Sequence, residues 1–473
     1  MNAIAILLAV EAGIAGCLFL GCRRDWNHTS VYLIAVTAPL EVYRTSVGGI
    51  SLSLFRLSLA FGLIVSLASS RGSPTGAPRR YAALVRSRLG VAYLLITLDF
   101  AVSYVIHPVN PFLGGRLIAT ALIALVAIVI TADVVLRSTF AHFARAFALG
   151  SALPILAGAW QALAPALGTT AQLPLLGNLP LAAGLEVSRE PPAGINGLAA
   201  RTKGSFGDPN HYGVYLMIVL GFALALAITA YLKRNQRDLT AYAAVTVAAC
   251  AGLLTSYSRT AWLGAAVATL VAGTLAIRAE RSGHLSRRAI ATAAAVALAA
   301  LAALSPGIPN VLARLNSRAA VNATSDSAHT HSVTVAYDTF TAAPEIGAGP
   351  GSLGTRLHDP QRTSVADSTY LTAAAERGGL GVAFLIAAAV VALMTLVQML
   401  RDSLTPGDRL LVSGLLATYV GFIVSNATYD LWWDDYHWVV LGAMASLAAR
   451  PFVRLRALGV KLEASDTASH PAV

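Results

Sequence analysis

The sequence has few charged residues for its length. Asp, Glu, Lys and Arg make up only 12% of its 473 residues, whereas 56% are hydrophobic and the mean hydropathy is +0.65. In soluble domains roughly a quarter of the residues are charged, so this low charged fraction excludes an ordinary soluble domain. Long runs of Ala, Leu, Val, Ile and Gly, such as Gly213–Ala230 and Leu263–Ile277, are instead typical of helices that cross a bilayer.

Cysteine is also scarce. The three cysteines, Cys17, Cys22 and Cys250, lie in or beside apolar runs, which excludes a disulfide framework and a zinc site. The cysteines therefore give no support for a metal site, and no cofactor is predicted. Basic residues are missing from Met1–Ile4, so we expect Met1–Leu20 to remain as the first span and not to be cleaved as a signal.

Acidic residues are outnumbered by basic ones. The chain has 23 Asp and Glu and 34 Lys and Arg, which gives a formal net charge of +11. The basic residues cluster in short loops between apolar runs, for example within residues 71–88, 233–237 and 278–288. This pattern is typical of cytoplasmic loops of membrane proteins. The charge balance therefore predicts topology and contact with membrane lipids, and no nucleic-acid partner.

Two polar intervals, residues 161–210 and 305–379, interrupt the apolar runs. Alternating the spans across a bilayer puts every basic cluster on one side and both polar intervals on the other. At one span per roughly 20 apolar residues, the sequence predicts an all-α, polytopic membrane helix bundle of about 12–14 spans. Residues 1–462 are expected to form one membrane-embedded domain that includes both intervals, and the polar tail 463–473 to be disordered.

The interval 305–379 is rich in ionisable side chains. Such groups cannot lie in hydrocarbon without losing their hydration, so this interval must face water. We expect it to supply substrate-binding and catalytic residues. Its candidates include Arg314, Arg318, His331, His358, Arg362 and Asp367.

The first of three local patterns is Arg201–Gly213, just ahead of an apolar run. Arg201 can bind phosphate oxygens in a fork, Gly204 permits close backbone approach, and Asn210 can cap the following helix. Lys203 adds a second cation, against the charge bias expected for this face. The alternative is an interfacial turn with snorkelling cations.

The second pattern is the turn Thr255–Trp262 between two apolar runs. Arg259 has no acidic neighbour in this turn, and an unpaired cation beside hydrocarbon needs an anionic partner. The alternative is an arginine at headgroup level with Trp262 as an interfacial aromatic residue.

The third pattern begins with the glycine-rich stretch Pro344–Gly354, which precedes a predicted short helix carrying Asp367 and Tyr370 one turn apart. A glycine-rich loop alone is a weak signal. Asp367 could be only the N-cap of that helix, and Glu376 only a structural anchor before the next span.

A further polar turn lies near the end of the chain. Its aromatic residues Trp432, Trp433 and Tyr436 predict an interfacial belt. The acidic residues of the same turn could contact a polar substrate. They are Asp430, Asp434 and Asp435.

In this order, within a chain of spans, the three patterns resemble the O-antigen ligase and Wzy polymerase superfamily of bacterial membrane glycosyltransferases. The resemblance implies a fold similar to the GT-C class, with a large periplasmic loop before the last spans. It implies the bacterial inner membrane, a periplasmic active face, an undecaprenyl-diphosphate-linked oligosaccharide donor and a lipid-linked glycan acceptor. Neither metal nor nucleotide sugar is implied, and a flippase and a chain-length regulator are further expected partners.

The resemblance also assigns roles. Arg201 and Arg259 correspond to arginines thought to bind the diphosphate. Where ligases of this superfamily usually have a His-Asn pair, this chain has Asp367-Ser368. That difference favours the exopolysaccharide polymerase branch over a lipid A-core ligase, and so do the stretches 38–44 and 51–56.

The chemistry of such a transfer needs two kinds of side chain. Fixed cations stabilise the departing lipid diphosphate, and a base takes the proton of the acceptor hydroxyl as the new C–O bond forms. Asp367 is the predicted base, with His358 and His331 as alternates, and direct displacement would invert the anomeric centre. The other candidate substrate-binding residues are Lys203, Asn210, His211, Arg314, Arg318, Arg362 and Tyr370.

Three functions remain open from the sequence. A polysaccharide polymerase leads, and a ligase that moves the glycan to another acceptor is second. An anion transporter is third. Transporters place polar groups in several spans and often have internal repeats, and this sequence has little of either. Here only Glu11 and Asp99 lie within apolar spans, where we expect them to face the bundle interior, and no repeat of fixed period is found.

Overall fold

The computed structural model describes residues 3–22, 25–40, 44–47, 50–69, 77–109, 111–167, 201–281, 320–356, 368–402 and 405–449. Most of these residues are helical, which confirms the predicted all-α bundle. The strands described are β1 (Arg44–Val47) and β2 (Ile50–Ser53), which form a two-stranded antiparallel hairpin. The sequence analysis did not predict this hairpin.

The helices range in length from about one and a half turns to more than nine turns. In chain order they are α1 (Ala3–Gly21), α2 (Trp26–Thr37), α3 (Leu54–Ala68), α4 (Ala77–Val85), α5 (Arg88–Ile106), α6 (Pro111–Arg137), α7 (Phe140–Gly150), α8 (Ala152–Leu163), α9 (Pro209–Leu232), α10 (Gln236–Thr255), α11 (Arg259–Arg281), α12 (Ala320–Ala342), α13 (Ser352–Arg356), α14 (Thr369–Arg401), α15 (Pro406–Ser425) and α16 (435–449).

Eight segments among the described residues are long and apolar enough to cross a membrane, with α7 and α8 together forming one of them. Two shorter apolar helices, Leu7–Gly21 and Leu54–Ala68, accompany them. The chain is therefore a multi-pass membrane protein. The predicted total of 12–14 spans included stretches outside the described residues.

Helix α9 lies at the centre of the bundle. It packs against α7, α10, α11 and α15, and most of its residues are buried. Its Phe222 contacts Phe143 and Phe147 of α7 with ring centroids 5.9 and 5.5 Å apart. A helix that is apolar on every side is expected to be enclosed by others, as α9 is.

One end of the bundle carries the polar residues of interest. The starts of α9, α11 and α14 meet there with the ends of α10 and α15, through hydrogen bonds described below. The opposite ends of these helices carry basic residues, among them Lys233, Arg278 and Arg401. The separation of basic ends from the polar intervals agrees with the topology predicted from the sequence.

The glycine-rich loop has a structural role. It docks on α14 at a kink, where Gly349 N–H donates to the Glu376 carbonyl at 3.0 Å and Gly379 N–H donates to the Pro344 carbonyl at 2.7 Å. Glu376 is buried, and its carboxylate accepts a hydrogen bond from Gly351 N–H at 3.0 Å. The alternative that Glu376 is a structural anchor is therefore confirmed. The kink also separates a short helix, residues 369–377, from the membrane span that follows.

A buried ion pair fixes the same region to α5. Arg377 Nη1 lies 2.8 Å from Asp99 Oδ2, and the guanidinium lies 4.2 Å from the centre of the Phe100 ring. Glu11, the other predicted interior carboxyl, accepts a hydrogen bond from Ser58 at 2.6 Å. Both Glu11 and Asp99 are buried, so the prediction that they face the interior is confirmed.

The predicted aromatic belt is wrong for two of its three residues. Trp432 and Tyr436 are 0% exposed, so they cannot face lipid headgroups. Trp432 stacks on Tyr93 of α5 with ring centroids 6.1 Å apart. Aromatic residues beside acidic ones look interfacial in sequence, but the turn folds inward here and adds their area to the core.

Replacing Gly378 with alanine tests the kink. Gly378 has φ +67°, and an added Cβ would lie 2.3 Å from the backbone oxygen of Glu345. The left-handed conformation alone costs a non-glycine residue about 1–2 kcal/mol, and the clash with backbone adds to it. We expect Gly378→Ala to lower the thermal unfolding midpoint of the purified protein clearly.

Gly273→Ala is the matched control, because nothing lies within 4 Å of a Cβ at this helical position of α11. Alanine is favoured over glycine inside helices, so this variant should be unchanged or slightly more stable. Equal midpoints for the two variants would contradict the proposed importance of the kink.

Candidate functional site

The segment that begins at Arg201 is held in place by Gln161 of α8. Gln161 Oε1 accepts hydrogen bonds from the backbone N–H groups of Lys203 and Gly204 at 2.8 and 2.9 Å, and Gln161 Nε2 donates to the Gly204 carbonyl at 2.9 Å. Gly204 has φ +57°, and a Cβ there would lie 2.6 Å from the Tyr212 ring. The close approach predicted for this glycine is therefore required by the structure.

Helix α9 is capped by a residue other than the predicted one. The N-cap is Asp208, whose Oδ1 accepts a hydrogen bond from Asn210 N–H at 2.6 Å. The prediction of Asn210 as the cap is wrong because Pro209 occupies the first helical position, where proline is favoured, and puts the cap one residue earlier. The side chain of Asn210 is thereby available for other contacts.

The Asn210 side chain joins the first two sequence patterns. Its Oδ1 accepts hydrogen bonds from Arg201 Nη2 at 3.0 Å and from Ser258 Oγ at 2.7 Å. Arg201 Nε also donates to the Ser256 carbonyl at 3.1 Å. Residues more than 50 positions apart in sequence therefore lie in one hydrogen-bonded cluster.

The turn between α10 and α11 leads from this cluster to Arg259. Tyr257 adopts φ +48°, a conformation that is uncommon for a residue other than glycine, and its ring packs edge-on against Trp262. Gly213 of α9 lies close against this turn, since a Cβ there would be 2.8 Å from Ser256 Oγ. Arg259 follows at the start of α11 and is exposed.

The two arginines are electrostatic neighbours. Burial lowers the pKa of Arg201, Asp208 and Tyr429 act in the opposite direction, and the nearby positive charge of Arg259 lowers the pKa further. Burial likewise lowers the pKa of Lys203. This cluster of cations lies at the ends of apolar helices, where it can attract an anion.

A second polar cluster adjoins the first. The hydroxyl of Thr369, in the first turn of α14, bonds to Asn426 Oδ1 and lies 2.9 Å from Asp430 Oδ1. Asp430 is buried, and its other carboxyl oxygen, Oδ2, has no hydrogen-bond partner among the described residues. Burial raises the pKa of Asp430 to about 6, with a smaller contribution from Asp434.

His211 connects the two clusters. It follows Asn210 in the first turn of α9, and its Nδ1 lies 2.7 Å from Asp434 Oδ1. The His211 ring also packs edge-on against Tyr429, with ring centroids 5.5 Å apart. The prediction that acidic residues of this turn lie near a polar site agrees with this arrangement.

The other predicted site residues fall outside this cluster or outside the described residues. Tyr370 donates its hydroxyl to the Ile423 carbonyl of α15 at 3.1 Å, a contact between helices. His331 is exposed on α12. The predicted residues that lie outside the described part are Arg314, Arg318, His358, Arg362 and Asp367.

The N-cap of α14 is Ser368, whose Oγ accepts a hydrogen bond from Leu371 N–H. The alternative that Asp367 is this N-cap is therefore wrong. Gln161, the first residue of the polar interval 161–210, was not among the predicted site residues, and Asp430 had only a general role. In the structure Gln161 lies in α8, where a lone amide beside apolar residues is a signal of a polar partner.

No group of three or more His, Cys, Asp or Glu residues positioned to hold a metal ion occurs in the described part of the chain. Comparison with known proteins gives a family. Residues 243–386 match the model of the family described as O-antigen ligase. This segment, less than a third of the chain, is similar to that family.

No curated protein matches the chain. The O-antigen ligase match includes the turn with Arg259 and the glycine-rich loop docked on α14, whereas Arg201, His211 and Asp430 lie outside it. Hydrogen bonds of Asn210 and Thr369 tie these outer segments to the matched one. The match supports an enzyme of ligase or polymerase type.

The raised pKa of Asp430 predicts how stability depends on pH. Between the usual value of 3.8 and about 6, the folded state holds a proton that the unfolded state has lost, so stability falls as pH rises through this window. Asp430→Asn removes this effect and keeps an oxygen for Thr369. We expect the variant to be the more stable protein above pH 6, by on the order of 3 kcal/mol at most.

Thermal unfolding in detergent from pH 4 to pH 8 measures this difference, which should shrink toward pH 4. Asp402→Asn, at an exposed carboxyl after α14, is the control and should show no such trend. A variant less stable than wild type at every pH would mean that Asp430 is ionised and paired in the folded protein.

Proposed function

We propose that the protein is a polysaccharide polymerase that transfers a glycan from a lipid diphosphate, undecaprenyl diphosphate, to a sugar hydroxyl of a lipid-linked repeat unit. It acts on the periplasmic face of the bacterial inner membrane in exopolysaccharide or O-antigen synthesis. The observation that carries the proposal is the cluster in which Asn210 holds Arg201 beside the turn that presents Arg259. The O-antigen ligase match over residues 243–386 supports the same class of reaction.

The arginines bind the diphosphate of the donor. Arg201 is half-buried and held at Nε and Nη2 by protein oxygens, while Arg259 is exposed at the start of α11. A diphosphate carries about two negative charges and gains more at the bridging oxygen as the glycosidic bond breaks. Cations already fixed in place stabilise that charge without reorganising, and a guanidinium matches phosphate oxygens in pairs.

The glycan moves by direct displacement with inversion. The acceptor hydroxyl attacks the anomeric carbon, its proton passes to a base, and the bond from that carbon to the diphosphate oxygen breaks. The sequence supplies Asp367 as the base, directly before the capping residue Ser368. Lys203 lies in the same segment as Arg201 and adds positive charge toward the donor.

The second candidate function is a ligase that transfers the finished glycan to lipid A-core or another acceptor. The family description, O-antigen ligase, favours it, whereas Asp367-Ser368 in place of a His-Asn pair favours the polymerase. Deleting the gene should abolish long polymer and leave single repeat units on the cell surface. Accumulation of full-length polymer on the carrier lipid would instead identify a ligase, as read from gels of surface glycan and extracted carrier lipid.

Arginine variants test the diphosphate site. Arg201→Ala and Arg259→Ala should each lower glycan transfer at least about 100-fold, because removing one preorganised donor from a charged transition state typically costs that much. The measurement is transfer by membranes that contain each variant, given lipid-linked glycan extracted from the deletion strain.

Arg116→Ala is the matched control, since Arg116 is an exposed arginine near the start of α6 and outside both polar clusters. It should transfer at the wild-type rate. Near-normal transfer by both site variants, at equal membrane levels, would remove the diphosphate-binding proposal.

A further inference from the structure

His211 and Asp434 form a carboxylate–imidazole pair beside the arginine cluster. His211 Nδ1 lies 2.7 Å from Asp434 Oδ1, so the N–H at Nδ1 donates to the carboxylate. This hydrogen bond fixes the tautomer and the orientation of the ring. Proton exchange with a substrate would then take place at Nε2.

His211 is the more exposed of the two side chains, as a group that exchanges protons with a substrate must be. The side chain of Asp434 is 8% exposed and that of His211 is 19% exposed, so the carboxylate lies behind the imidazole. A carboxylate behind a histidine holds the ring in place and stabilises the imidazolium that forms when the ring takes a proton. The Tyr429 ring, edge-on to His211, limits the remaining rotation of the imidazole.

The pair is adjacent to the proposed diphosphate site. His211 follows Asn210, whose side chain binds both Arg201 and Ser258. Tyr429 is a neighbour of both clusters, since it contacts the His211 ring and interacts electrostatically with Arg201. A glycan whose diphosphate is bound by the arginines would therefore have its anomeric carbon near this histidine.

We propose that His211, held by Asp434, is the base that accepts the proton of the acceptor hydroxyl. This inference rests on the proposed glycan transfer and moves the role of base from Asp367 to the pair. The acceptor O–H bond breaks with its proton going to His211 Nε2, and the oxygen forms the new bond to the anomeric carbon. The electron pair of the old bond leaves with the lipid diphosphate, and the imidazolium then returns its proton to water.

Several charged groups face the imidazole and set its response to pH. From the turn before α16, Asp434 bonds to it and Asp430 interacts with it electrostatically. Asp430 also interacts with Arg377 of α14, and Asp208 interacts with Arg201 in the segment that leads into α9. The Asp434 carboxylate bonded to the ring favours the imidazolium that forms when His211 accepts a proton.

The test measures glycan transfer against pH for wild type, His211→Gln and Asp434→Asn. The substrate is lipid-linked glycan extracted from the deletion strain. We expect His211→Gln to lower transfer about 100-fold or more and to lose the acidic limb of the pH profile. Asp434→Asn should retain an acidic limb but move it to lower pH, because the anion that stabilises the imidazolium is gone.

Two further measurements separate a base from a structural residue. His211→Gly should regain transfer when free imidazole is added, which replaces a missing proton acceptor but not a missing packing contact. The His211→Gln variant should still bind the lipid-linked glycan and keep a near-wild-type unfolding midpoint. His142→Gln is the matched control, because His142 also bonds a side-chain oxygen, Thr139 Oγ1, but lies outside both clusters.

The outcomes distinguish this inference from the proposed function. If wild type transfers no glycan, the proposed function fails and the inference fails with it. If wild type transfers and Arg201→Ala does not, but His211→Gln transfers within about threefold of wild type, only the inference is overturned. Loss of the acidic limb in Asp367→Asn but not in His211→Gln would also overturn it and return the role to Asp367.

Discussion

The carboxamide oxygen of Asn210 is the contact on which the arrangement of the site depends. It accepts from Arg201 in the segment before α9 and from Ser258 just before α11, so one acceptor joins that segment to the starts of both helices. A guanidinium beside apolar helices gains most when its N–H groups bond to oxygens, because water is largely excluded there. Arg201 meets this need at Asn210 and at the Ser256 carbonyl, and its position is set as a result.

The same end of the bundle is held together by small and acidic residues. Gly213 and Gly204 permit helix α9 and the segment before it to approach their neighbours closely. The buried pair of Asp99 and Arg377 ties α14 to α5 below the site. Close backbone contacts and an ion pair fix these segments in place. The cationic side chains can therefore stay at the edge of the membrane and need not enter the lipid.

Two acid–base features adjoin the arginines, and they differ in character. Asp430 is enclosed and bonded to Thr369, with burial raising its pKa, so it stores a proton more readily than an exposed carboxyl would. His211 and Asp434 are paired and more accessible. Cations for the leaving diphosphate and a proton acceptor for the incoming hydroxyl are the two parts that glycan transfer from a lipid diphosphate requires.

The sequence by itself determined the membrane class and the all-α architecture, because hydropathy is a local property of the chain. Charge on the unexpected face also singled out Arg201 and Arg259 as candidates. The sequence could not determine which residue caps α9, since the choice between Asp208 and Asn210, two positions apart, depends on backbone geometry. Tertiary structure alone decided that Asp434 lies against His211, 223 residues away in sequence. Such pairing follows from how helix ends pack together, and no pattern within either segment encodes it.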